Sequence, residues 1–279
     1  MHRSFGNAFT AGVCLALLLS ASAGAKAPPG PTNITATEQG QRLIDSTAAR
    51  FSAGGHATAP SDLEAMRLAD GSVLVTRRGT DVEDSTASGG GVRATVPQPE
   101  EFLAAEPMAV LAAAYWQRQA DDCFASLFRG TAHFDTCYRI YKMINDGVAG
   151  KEYWRLDFYG TMFAEGRKLA WGWIAADQDA GPAQSFTDWS PDSDTQSNCQ
   201  QTTVGITVLG VGATYGYQQC ELWNISKSSG TLLGYFKNYW DWGISMPLVD
   251  RDRGIAMMIG TKGNDGWPTY GLSWNFAIF

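Results

Sequence analysis

Carboxylates are the side chains here whose type could do chemistry. Glu152, Asp157, Glu165, Asp177, Asp179, Glu221 and Asp241 all fall in the second half of the chain. Two such groups across a cleft, one protonated and one ionised, hydrolyse glycosidic bonds, and their separation sets the stereochemistry. Asp157 stands between apolar neighbours and two residues from Arg155. By type alone, however, such acids are ordinarily solvated surface groups. Nucleophilic catalysis has less to draw on. Beyond residue 25 only His56 and His133 remain. His133 precedes Asp135 by two residues, so both share a face of a short strand beside Cys137. A His–carboxylate pair still needs a nucleophile within hydrogen-bond reach, and no GxSxG elbow is present.

Metal chemistry has one foothold. Asp192, Asp194 and Asn198 place oxygen ligands at alternate positions, as an acidic calcium loop does. The run departs from the EF-hand at its sixth position, Ser197 in place of Gly, and at its twelfth, Thr203 in place of Glu. It reads first as a polar loop of Asx turns. No CxxC or CxxH spacing supports zinc. No cofactor is expected beyond calcium at those three residues.

Aromatic residues carry the strongest binding signal. Trp171 and Trp173 share one strand face, as do Trp240 and Trp242. Trp267 sits in a Gly-Asn-Asp-Gly-Trp-Pro turn, where a core role is hard to fill. Flat rings exposed on a β-scaffold stack on sugars, and exposed apolar patches mark partners. The leading expectation is a non-enzymatic binding protein that meets a glycan or surface partner through Trp267, Tyr270, Trp240 and Trp242. A hydrolase with an Asp/Glu acid–base pair is the second reading.

The third reading centres on residues 199–220. Val204, Ile206 and Val208 alternate with Thr203, Gly205 and Thr207, the period-two pattern of a half-buried strand. Gly210 and Gly212 interrupt the run, and a second arm continues through Tyr215 and Tyr217. Pore-forming proteins insert hairpins of this composition, but each arm barely reaches the length of about 9–11 residues that a membrane-crossing strand needs. A disulfide across its ends opposes unfurling. Membrane is therefore not expected as the partner.

These groups need a scaffold. Arg3, the apolar run Ala8–Leu19 and the small residues at 21–25 have the form of a secretory signal, so the chain is expected to be exported. Its loss takes away Arg3 and leaves 20 Lys+Arg against 28 Asp+Glu, a net of −8. An acidic chain without a basic stripe is a poor nucleic-acid ligand. Four cysteines then remain, and an even count in an exported protein reads as disulfides. The local pairing is Cys123–Cys137 and Cys199–Cys220. Residues 26–101 hold one aromatic, Phe51, and residues 102–279 hold thirty, which places the core in the second part. The first part, rich in Gly, Ala, Ser, Thr and Pro, reads as a flexible leader or pro-segment. Within it, residues 61–64 fit a helical capping box and residues 72–76 fit a strand.

From residue 100 to 119, Pro107 followed by Met108, Leu111 and Tyr115 predicts a helix. Strands follow: 138–144, then 153–164 and 169–175 as a hairpin, then about five more beyond a polar loop at 177–198, about eight in all. The expected fold is mainly β: an antiparallel sandwich, meander or partly closed barrel with one N-terminal helix, stapled by two disulfides.

Overall fold

Alternating apolar residues become strands almost wherever they recur in this chain. The computed structural model describes residues 30–96, 114–145, 147, 150–178, 184–190, 200–208, 211–219, 223–228, 235–241, 250–262 and 268–279. Among these are one α-helix, α1 (Glu38–Ala53), and sixteen strands. The strands are β1 (Thr32–Asn33), β2 (Leu63–Arg67), β3 (Val73–Arg77), β4 (Val82–Asp84), β5 (Val92–Thr95), β6 (Tyr115–Arg129), β7 (Ala132–Ile144) and β8 (Lys151–Phe163). There follow β9 (Leu169–Gln178), β10 (Gln184–Ser190), β11 (Gln200–Val208), β12 (Val211–Gln219), β13 (Trp223–Ser228), β14 (Tyr235–Asp241), β15 (Arg251–Lys262) and β16 (Tyr270–Ile278).

Three sheets result. Eight strands run in the order β1-β2-β3-β6-β7-β8-β15-β10, and six in the order β13-β14-β9-β16-β5-β4. Strands β11 and β12 form a two-stranded sheet of their own. Neighbouring strands are antiparallel throughout. Neither larger sheet closes on itself. The mainly-β antiparallel fold expected from periodicity is therefore present, in open, sandwich-like form.

One core joins the two larger sheets. Phe124, Phe134, Ile140, Leu156, Phe158, Ile255 and Met257 enter it from the eight-stranded sheet, and Ile174, Leu272, Trp274 and Phe276 from the six-stranded one. The Trp274 ring meets Phe124 edge-on, centroids 5.4 Å apart at 84°. Phe134 and Phe276 repeat that geometry at 6.2 Å and 82°. Each such pair contributes about 0.5–1.5 kcal/mol beyond the area it buries.

Several expectations are corrected. Residues 30–96 are not a loose leader. They supply α1 and strands that lengthen both larger sheets, and a second core of Ile34, Ile44, Ala48, Leu63, Ala65, Val73, Val75 and Phe128. Aliphatic side chains fill that core almost without rings, so aromatic density was a poor guide to it. The helix lies here and not at 100–119. Thr37 caps it by accepting a hydrogen bond from the Gly40 amide at 3.0 Å. Of the predicted helix at 100–119, residues 100–113 lie outside the described residues, and Tyr115 onward is the long strand β6. The capping box at 61–64 opens only a short 3-10 turn, Pro60–Asp62, before strand β2.

The segments 153–164 and 169–175 are strands, but they do not pair. Strand β8 bonds to β7 and β15, whereas β9 bonds to β14 and β16. The turn at Glu165 and Gly166, both in the left-handed region at φ 48 and 76, carries the chain from one sheet to the other. Local alternation reports a strand but not its neighbour. The polar stretch 177–198 contains strand β10, paired to β15. Of the two expected disulfides, the structure holds one among the described residues, Cys123–Cys137, across directly opposed residues of β6 and β7. Cys199 and Cys220 lie outside the described residues, as does the signal segment 1–25.

Candidate functional site

The acids do not converge. Asp157 is 2% exposed and is held by Arg155, Nε donating to Oδ1 at 2.6 Å and Nη2 to Oδ2 at 2.9 Å. Burial raises its pKa, and the Arg155 guanidinium opposes that rise. Glu152 accepts from Lys142 at 2.6 Å, and Asp177 from Arg93 at 2.9 Å. Each of these three is neutralised by a cation instead of facing a second acid. Glu165 occupies the inter-sheet turn, and Asp241 ends β14. Asp179, Glu221 and the calcium candidates Asp192, Asp194 and Asn198 lie outside the described residues.

The His133–Asp135 pair is close in space but wired for support. Asp135 accepts from Arg50 of α1, Nε at 2.8 Å and Nη2 at 3.1 Å, and from the Ser126 hydroxyl. The serine thus bonds the carboxylate and not the imidazole, the reverse of what a nucleophile–base–acid relay requires. His133 lies between the rings of Phe128 and Phe163, at 5.2 and 4.6 Å, with Nε2 4.0 Å from Asp135. Burial lowers its pKa, with the Asp135 charge pulling the other way. The group pins α1 to the large sheet.

The predicted aromatic surface divides. Tyr270 has no exposed area and sits in the core, so its ring cannot meet a partner. Trp240 stands opposite Gly172 in the register, on the sheet face that sends Ile174 and Ala176 into the core. Trp242 and Trp267 lie outside the described residues. On the other face of the six-stranded sheet, Trp171 and Tyr239 are half-buried, with centroids 6.3 Å apart at 31°. The Lys237 ammonium lies 4.0 Å above Trp173 there, and burial lowers its pKa.

The hairpin β11–β12 is the most distinctive element. Its register runs unbroken from Gln200–Gln219 to Val208–Val211. Directly opposed residues of an antiparallel pair share a face. One face therefore carries Val204, Ile206 and Val208 with Val211, Ala213, Tyr215 and Tyr217. The other carries Thr203, Gly205 and Thr207 with Gly212, Thr214 and Gly216. Each arm has nine residues. The pair runs beside β15, and β12 also reaches β6. Sequence reading caught the alternation but passed over a second signal. From Thr195 to Cys220 the chain has no Asp, Glu, Lys or Arg, although these types make up 18% of it.

No family model and no curated protein matches the chain. Among solved structures, one described as a pore forming protein aligns over 72% of this chain and 90% of its own, at 6% identity and a TM-score of 0.35. The Clostridium perfringens NetB toxin in the membrane inserted form aligns over 60% of this chain and 91% of its own, at 7% identity and a TM-score of 0.27. Likenesses this distant carry no functional argument. No helix among the described residues is long and apolar enough to cross a membrane. That statement leaves strands untouched, and the uncharged hairpin is made of strands.

Proposed function

We propose that this protein acts on membranes by inserting the β11–β12 hairpin, several copies contributing to one barrel. The observation that carries the reading is the division of the hairpin into an apolar face and an uncharged polar face over two nine-residue arms. A membrane-crossing strand needs about 9–11 residues with lipid-facing and lumen-facing positions alternating. A charge on the lipid face is costly, and this stretch has none on either face. Because β11 and β12 bond only to each other among the described strands, leaving the scaffold breaks no ladder in either larger sheet. A lone hairpin exposes unpaired edges in lipid, so insertion calls for closure with further copies.

The test is dye release from phosphatidylcholine–cholesterol vesicles, combined with an environment-sensitive fluorophore placed singly at each position from 203 to 208. Insertion gives leakage, a large cross-linked species, and a lipid signal at every second position. Absence of leakage together with a flat fluorophore profile sinks the proposal.

A second reading keeps the surface-binding expectation but moves it. The half-buried Trp171–Tyr239 pair on the outer face of the six-stranded sheet is a platform on which a sugar ring could stack. Loss of glycan-array signal in Trp171→Ala, with unchanged vesicle leakage, would assign the two activities to separate surfaces.

A further inference from the structure

The end of α1 delivers a histidine onto the disulfide. The Gly54 amide donates to the Arg50 carbonyl and the His56 amide to the Phe51 carbonyl, both at 2.9 Å. Gly55 between them takes φ +92, a left-handed value that favours glycine. The Thr58 hydroxyl closes the turn on the His56 carbonyl at 3.0 Å. This fixes the imidazole beside Cys123 and Cys137, which face each other across β6 and β7. One ring nitrogen and both sulfurs all lie within 4.8 Å of one another. Phe51 and Tyr159 pack around the sulfurs. The nearest carboxylate, Asp121, has Oδ1 at 3.9 Å from His56 Nδ1. Asp121 also receives Arg118 at 2.7 Å, Arg139 at 3.3 Å and the Tyr159 hydroxyl at 3.4 Å.

We propose that reduction of Cys123–Cys137 turns this corner into a zinc site, with both thiolates and the His56 imidazole as ligands and a water in the fourth position. Zinc prefers this donor set in tetrahedral geometry, at about 2.3 Å to sulfur and about 2.0–2.1 Å to nitrogen. Such a tetrahedron sets its sulfur and nitrogen atoms roughly 3.5–3.8 Å apart. The imidazole nitrogen therefore stands within about 1 Å of the required spread. The two sulfurs, about 2 Å apart in a disulfide, must separate by roughly 1.7 Å, which rotation of either cysteine side chain supplies once the S–S bond is cut. The reductant is a pair of thiols. The S–S bond breaks, each protein sulfur gains one electron and one proton, and the two reductant sulfurs join in a new disulfide. Zn²⁺ then displaces both thiol protons to solvent. While the disulfide is intact the sulfurs are poor ligands, so the site is gated by redox state. No sequence spacing announces it, because His56 is contributed by a helix end distant in sequence from both strands.

The test uses the full chain carrying C14S, C199S and C220S, so that only Cys123 and Cys137 report. It is reduced with a trialkylphosphine, which takes its oxygen from water and leaves no competing thiol. Titration with Co²⁺ should give one equivalent bound, with a thiolate-to-cobalt charge-transfer band that Zn²⁺ abolishes. The oxidised protein should give no band. His56→Ala should weaken binding by at least about tenfold, since loss of a ligand costs no less than loss of its outer-shell partner. Near-UV circular dichroism of the reduced protein separates a folded site from thiols on an unfolded chain. No band on reduction, a band present only after unfolding, or a His56→Ala affinity equal to the parent's overturns the proposal.

Discussion

Val204 is the fifth of nine residues in β11, opposite Tyr215, and it lies on the apolar face. At a rise of about 3.4 Å per residue the arm is about 30 Å long, and tilted by about 45° it rises about 21 Å, the short end of what membrane-crossing strands of about 9–11 residues reach. Val204 then sits near the bilayer midplane, where a lysine on the lipid face costs about 2–4 kcal/mol. At about 1.4 kcal/mol per decade, Val204→Lys lowers the insertion equilibrium by about 30- to 700-fold per copy. Its neighbour Thr203, opposite Gly216, belongs to the polar face. Thr203→Lys places the same charge towards the lumen at almost no cost. The assay is the rate of dye release from phosphatidylcholine–cholesterol vesicles, with thermal unfolding of both variants beforehand to match the water-soluble forms. Folded variants should differ by at least tenfold in rate. Equal rates from the two folded variants, or a larger loss from Thr203→Lys, refute the assignment of faces and with it the insertion argument.

Three further outcomes follow from the scaffold. Arg155→Met strands the Asp157 carboxylate at 2% exposure, costing about 3–5 kcal/mol in denaturant unfolding near neutral pH. Asp157 is already raised by burial, so the variant recovers part of that loss as pH falls and the carboxyl protonates. Stability should decline as pH drops below about 6.5, because burial holds His133 below that ordinary value and the unfolded chain takes up its proton first. His133→Phe flattens this slope in unfolding measured across pH, and a slope equal to the parent's removes His133 as its source. In Gly160→Ala the new methyl carbon would lie 2.3 Å from the Asp135 carbonyl oxygen of β7. Forcing β7 and β8 apart costs about 1–3 kcal/mol in the same assay.

Strand content was legible because burial on one face imposes period two on the residues themselves. Strands β7, β8, β9 and β11 are all visible that way. Which strands pair was not legible. Alternation at 153–164 and 169–175 fits a hairpin as well as it fits a crossover between sheets, and the difference rests on partners from β15 and β16, far along the chain. The site was half-visible. The alternation of the β11–β12 arms could be read directly, whereas the solvent access of Tyr270 could not, since exposure depends on what packs above a ring.

Composition and periodicity settled that this chain forms antiparallel ribbons, and they located the hairpin that divides into an apolar and an uncharged face. Both follow from interactions between residues close in sequence. Folding in space decided the rest: that residues 30–96 complete the sheets, that Asp135 meets Arg50 of α1, and that His56 meets two cysteines. Those results depend on contacts between distant segments, where the local pattern of side chains carries no record of what will lie opposite.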